Sequence, residues 1–162
     1  MSTSLAFWDF SLSFYVKPKV AECCLQLQDQ FAVNVNVLLW AIWLGRRQIC
    51  LTDERLVTAL ELIQQWDANY VQVLRQLRRT MKREFAQDLE RVAPPRDSIK
   101  RAELMAEKTE QQWLEALAKA WNMDSVPFVE GENVVHYLNF LNIPQVLIEQ
   151  VKIILHEATD RP

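Results

Sequence analysis

Residues 33–44 read Val-Asn-Val-Asn-Val-Leu-Leu-Trp-Ala-Ile-Trp-Leu, and Gly45 follows. Ten of the twelve are apolar, and from Val37 to Leu44 no side chain carries a charge, an amide or a hydroxyl. A helix that is apolar all round has no face to give to water, so it belongs in the middle of a bundle. It is too short to cross a membrane, which takes about 20 such residues. Asn34 or Asn36 can cap the free amides at its start, and Gly45 can take the left-handed conformation that ends it. A buried strand would also suit the β-branched opening. The Trp, Ala and Leu of the second half, with the glycine stop, favour helix.

The composition around this segment points the same way. Half of the 162 residues are hydrophobic and six are Trp, which is no disordered composition. Only two Gly and six Pro occur, too few turn formers for a sandwich or barrel, so an all-α fold is expected. One domain over residues 1–160 fits the length. It divides into aromatic core helices over 5–48, a helical hairpin over 53–121 and two closing helices over 131–158. That makes a bundle of about six helices with the apolar segment at its centre. Three Cys form no disulfide framework, and the N-terminus has no basic region and carries Asp9 early. Both features fit a reducing cytoplasm, with no export signal and no membrane span.

Leu5 to Val16 puts Phe7, Phe10 and Phe14 on one helical face, with Ser4 as a cap. It reads as a core helix; an interfacial membrane helix would want lysines on its polar side. Pro18 opens a helix to about residue 31, in which Val20, Cys23 or Cys24, Leu27 and Phe31 recur at helical spacing. Vicinal cysteines on a helix point about 100° apart and rarely share a metal, so Cys23 and Cys24 read as small buried hydrophobes. Thr52 caps a long helix from Asp53 to about residue 92. Its apolar rhythm slips at Asp67-Ala68-Asn69, which reads as a kink or a break, though no Pro or Gly forces one. Pro94-Pro95 ends it, and a helix from Asp97 or Ser98 to about Trp121 returns antiparallel, with Ile99, Ala102, Ala106, Thr109, Trp113 and Leu117 as its seam. Asn122 to Pro127 reads as a loop.

Charge is unevenly spread within a net −3. Residues 75–101 carry a balance of +5 while the segments on either side are negative. Arg75, Arg78, Arg79, Lys82 and Arg83 fall on one helical stripe with no acid between them. Such a stripe could dock an acidic protein, a ribonucleoprotein surface or an anionic membrane. It could equally be solvated, or pair with Glu103, Glu107, Glu110 and Glu115 on the returning helix. No aromatic is interleaved, which weakens a nucleic-acid stacking surface.

A second candidate is a pocket lined by Trp8, Asp9, Tyr15, Asn36, Trp40 and Trp43. Asp9, Ser11 and Asn36 sit among large apolar neighbours and must find hydrogen bonds if buried. They either tie helices together or line a small ligand site. No metal site is expected: Glu132 and His136 share a face but lack further ligands, and a local Glu–His contact is the simpler reading. No Asp-rich diphosphate motif, glycine-rich phosphate loop or nucleophile elbow occurs, so no cofactor and no catalytic residue is assigned. The leading reading is a non-enzymatic interaction protein using the basic stripe; the rival is a small-molecule-binding protein or enzyme using the N-terminal pocket.

Several of these residues also carry a resemblance. Phe7-Trp8-Asp9-Phe10-Ser11-Leu12, Tyr15, Val20, Cys24-Leu25-Gln26-Leu27-Gln28-Asp29, Val35-Asn36, Leu38-Leu39 and Trp43-Leu44-Gly45 resemble a family of proteobacterial proteins of unknown function, about as long as this chain. The likeness is closest over about residues 5–47, continues more loosely through Leu74-Arg75, Leu77-Arg78-Arg79, Lys82, Glu103-Leu104 and Ala106-Glu107, and fades toward the C-terminus. The family has an acid where this chain has Asn34; both cap helices. The resemblance implies a bacterial cytoplasmic helical domain and no particular mechanism.

Overall fold

The computed structural model describes residues 5–121 and 131–160, and every regular element among them is helical. The N-terminal layer is α1 (Phe7–Tyr15), α2 (Val20–Phe31) and α3 (Val35–Arg46). Next come α4 (Asp53–Trp66), a π-helical turn (Asp67–Val71), α5 (Gln72–Glu84) and α6 (Leu89–Ala118), and then α7 (Glu132–Phe140) and α8 (Gln145–Asp160). The expected cap Ser4 and the expected loop 122–127 lie outside the described residues.

The apolar segment takes the place its composition demands. Every side chain of α3 from Asn36 to Leu44 is buried. It packs on α1, α2, α6 and α7, so no face is left for water. Asn34 is the cap, its Oδ1 accepting from the Val37 amide at 3.1 Å. Gly45 does not end the helix. The chain continues to Arg46, and the left-handed residue is Gln48, with φ 56°. The Ile49 amide then donates to the Leu44 carbonyl at 3.0 Å, so the stop is a closing hydrogen bond rather than a glycine.

α1 buries Phe7, Phe10 and Phe14. Its first amide is satisfied from a distance: Phe7 N–H donates to Glu115 Oε2 of α6 at 3.1 Å. α2 buries Val20, Cys23, Cys24 and Leu27, whereas Phe31 ends 36% exposed at the last turn. Burial pushes the Cys23 thiol up to about 11 and the Cys24 thiol up to about 12. Thiols held protonated in this way make poor nucleophiles and poor metal ligands. Asn133 of α7 closes the far side of the core. Its Oδ1 accepts from the Leu51 amide at 2.7 Å, and its Nδ2 donates to the Ile49 and Ala41 carbonyls at 2.9 and 3.2 Å.

The hairpin departs from expectation in three ways. The rhythm slip at Asp67-Ala68-Asn69 is a π turn, which shifts the helix phase rather than breaking the helix. The reversal comes at residues 85–88, not at the prolines. Pro94 and Pro95 lie in the second turn of α6, where the carbonyls deprived of a donor are those of Glu90 and Arg91, both on exposed residues. Finally, the buried line of α6 runs through Glu103, Ala106, Glu110, Gln111, Leu114 and Ala118, not through the more apolar seam with Thr109 and Trp113. α5 packs chiefly on α6 and the π turn and buries no side chain, leaving Leu77 and Phe85 more than 40% exposed.

Candidate functional site

Three groups of polar side chains meet where α1, α2 and α3 face the hairpin. The first is an ion cluster between α5 and α6. Arg78 donates through Nε and Nη2 to the two oxygens of Glu103, at 2.5 and 3.0 Å. Arg75 donates through Nε to Glu103 at 3.2 Å and through Nη2 to Glu107 at 2.6 Å. The helical spacing that made a stripe of arginines also makes a facing stripe of glutamates at i and i+4, and the hairpin joins them. Arg79 reaches away from this cluster to Asp29 of α2, 2.7 Å off.

The second group lies deeper. Glu110 is fully buried, and its Oε1 accepts from Asn34 Nδ2 at 2.8 Å and Asn36 Nδ2 at 3.1 Å. Gln111 Nε2 donates to Asn36 Oδ1 at 2.8 Å. Three atoms here have no hydrogen-bond partner among the described residues: Glu110 Oε2, Gln111 Oε1 and Ser11 Oγ. The third group is the π turn, where Asp67 accepts from Gln72 Nε2 at 3.1 Å.

The protonation behaviour of the carboxylates divides along these lines. Burial pushes Glu103 up, but the hydrogen bond and charge of Arg78, joined by Arg75, outweigh it and hold the carboxyl below its ordinary value. Burial raises Glu107 despite Arg75, and raises Asp67 despite Gln72 and Arg75. Glu110 is raised to about 7, because burial and the nearby Asp67 and Glu107 charges outweigh the Asn34 and Asn36 hydrogen bonds.

Between these groups lies a cavity of about 310 Å³. Ser11, Asn36, Leu39 and Gln111 form its buried side, and Leu12, Arg79, Lys100 and Leu104 its exposed side. Trp8 and Tyr15 contribute aromatic surface, and the Lys108 ammonium sits 5.2 Å from the Trp8 ring centre. The volume is at the lower end of the range for small-molecule sites, and the mixture of apolar walls with a few convergent polar groups is typical of them.

The two candidate sites read from the sequence therefore meet in one place. Trp8, Tyr15 and Asn36 line the cavity, and so do Arg75, Arg78 and Arg79. The remaining members do not. Asp9 is exposed, and Trp40 and Trp43 are core side chains, the first packed on Trp121 and the second donating from Nε1 to the Leu5 carbonyl at 3.0 Å. Lys82 and Arg83 are exposed and form no ion pair among the described residues. Of the four glutamates weighed against the stripe, Glu103 and Glu107 take arginines, Glu110 takes asparagines, and Glu115 caps α1. His136 meets Asp53, at 3.0 Å, rather than Glu132. Among the described residues no three His, Cys, Asp or Glu side chains gather to hold a metal, and no helix is long and apolar enough to cross a membrane.

Lys100, Asp67 and Gln111 belong to this cleft but were not singled out from the sequence. Gln111 continues the Glu103–Glu107 line at i+4, which is the one signal that could have found it. These features define an all-α protein with a ligand-sized cleft beside its core. The chain belongs to the family described as "Protein of unknown function (DUF2390)", whose pattern matches residues 6–114. No curated protein and no solved structure matches it.

Proposed function

We propose that this protein binds a small molecule in the cleft between α1, α3 and the α5–α6 hairpin. One observation carries the reading: a cavity of about 310 Å³ brings the apolar and aromatic walls of Trp8, Tyr15 and Leu39 together with a few polar side chains, Asn36, Arg75, Arg78 and Gln111. A concave, mostly apolar cavity with a few convergent polar groups is the usual form of a small-molecule site. The matched family region, residues 6–114, contains every lining residue used in this argument.

Docking of an acidic protein or ribonucleoprotein along the Arg75–Arg83 stripe is the weaker reading. Arg75 and Arg78 are turned inward and share Glu103, with side chains only 12% and 22% exposed. Exposed Arg79, Lys82 and Arg83 remain, which is a small electrostatic footprint. Nothing in the cleft points to a particular reaction, and no catalytic residue is assigned.

The test is a thermal-shift screen of a chemically diverse fragment library, with hits followed by tryptophan fluorescence. Hits are expected to raise the melting temperature and to lose that effect in Trp8→Ala, but to keep it in Lys82→Glu/Arg83→Glu. If no fragment stabilises the wild-type protein, or hits respond to the surface reversal and ignore Trp8, the cleft is not the site.

A further inference from the structure

We infer that the face of the hairpin carrying Tyr70 and Trp113 is the interface of a dimer of this chain, with the two-fold axis running along the hairpin. None of the side chains that make this face lines the cleft, so the inference stands apart from the ligand reading.

The α6 seam that the sequence led one to expect in the core lies here. Ala102 and Trp113 are exposed and Thr109 is half-buried. Beside that seam, Leu62, Tyr70, Val73 and Leu77 follow one line along α4, the π turn and α5. The wider π turn sets Tyr70 nearly in line with Trp66, and Val73 and Leu77 continue at helical spacing. Trp66 ties the two rows together. Its ring centre lies 4.6 Å from that of Tyr70 and 5.2 Å from that of Trp113, and its Nε1 donates to the Ala106 carbonyl at 2.9 Å. The large apolar members range from 37% exposed at Trp113 to 71% at Met105. A contiguous apolar surface of this kind marks a protein contact, and Trp and Tyr carry much of the energy of such contacts.

Charge selects the occupant. A quarter of the chain is charged, at 24%. Yet the polar and small positions among these apolar side chains are Gln65, Asn69 and Gln76 on one helix and Ser98, Gln112 and Ala116 on the other. Residues near a two-fold axis meet their own copies, so a charge there would meet its like; this face has none at its centre. Charges of opposite sign come at one end. The two helices run antiparallel and Trp66 touches Trp113, so Glu61, just before Trp66, is level with Lys119, just after Trp113. At about 100° per residue each sits on the edge of its helix away from the other. An axis along the hairpin sets Glu61 of each copy against the partner's Lys119. It also lays the Leu62–Leu77 row on the smaller side chains of Ala102, Thr109 and Ala116, large against small. Glu61 forms no ion pair among the described residues. Lys119, 69% exposed, meets Glu115 at 3.4 Å and keeps further donors to share.

Sedimentation velocity of the full chain at about 1 to 100 µM, the range of micromolar association, tests the dimer. Wild type is expected to pass from monomer to dimer and no further. Tyr70→Glu and Met105→Glu, on separate helices, should each weaken association by more than about a hundredfold, because every substitution counts twice. Both positions are exposed, so the helical circular dichroism should stay unchanged. Glu61→Lys and Lys119→Glu should each weaken association by about tenfold, and the double variant should restore it. A double variant no better than either single one overturns the stated axis. Association that survives Tyr70→Glu and Met105→Glu, or that grows beyond the dimer, overturns the interface. A wild-type chain that stays monomeric overturns the inference as a whole. If that monomer floats with phosphatidylcholine vesicles the face belongs to a lipid surface, and if it does not the face is left to a foreign protein.

Discussion

Glu110 places a carboxylate where no water reaches it, with one oxygen held by two asparagine amides and the other unmatched. Its folded pKa of about 7 lies above the ordinary glutamate value of 4.5. The folded state therefore binds the proton more tightly than the unfolded chain does. Between those two values stability should fall as pH rises, because ionising the buried group opposes folding. The raised Asp67 and Glu107 act in the same sense, whereas Glu103, held low by Arg78 and Arg75, loses its contribution only on acidification. Thermal melts should show greatest stability near pH 5 and a decline toward pH 8. Glu110→Gln should flatten that decline; an unchanged slope would show that Glu110 does not titrate there. Asn133 is the other residue on which much depends. Replacing it by Ala leaves the Leu51 amide and the Ile49 carbonyl unmatched, and urea unfolding should register a loss on the order of 3 kcal/mol.

Among the elements, α3 was the most readable in sequence, since an unbroken apolar run leaves a helix only one place to go. The register of α6 was the least readable. A carboxylate is placed outward by default, and only its partners decide otherwise: Arg75 and Arg78 for Glu103, Asn34 and Asn36 for Glu110. Those partners lie 25 to 76 residues away, beyond the reach of any local pattern. The π turn was visible only as a lapse in rhythm, because one extra residue in a turn leaves no compositional mark. The end of α3 was misjudged because a non-glycine residue, Gln48, takes the left-handed geometry expected of Gly45, whereas the end of α2 near residue 31 was read correctly. Ala32 closes α2 at φ 54°, a conformation that disfavours any residue with a Cβ. Ala32→Gly should raise stability by about 1 kcal/mol in chemical denaturation; a decrease would mean that chain entropy outweighs the relieved strain.

For the molecule as a whole, the helical class and the central position of α3 came from composition and period, and so did the hairpin, though not its turn. The cleft did not, because it forms where three separately legible features converge: the aromatic N-terminus, the arginine stripe and the glutamates opposite. The stripe looked like a surface because its helix is polar on that side, and it became a wall because the chain folds back on it. That wall, α5, buries no side chain, and its arginines reach Glu103 and Glu107 on α6 and Asp29 on α2. One side of the cleft is thus fastened by electrostatic clasps rather than by a greasy seam. Raising the ionic strength should loosen α5 before it disturbs α3, with backbone deuterium uptake quickening over residues 72–84 while residues 37–44 stay protected. The arginine-bearing flank of the cavity is on this account the part of the fold expected to respond first to its ionic surroundings.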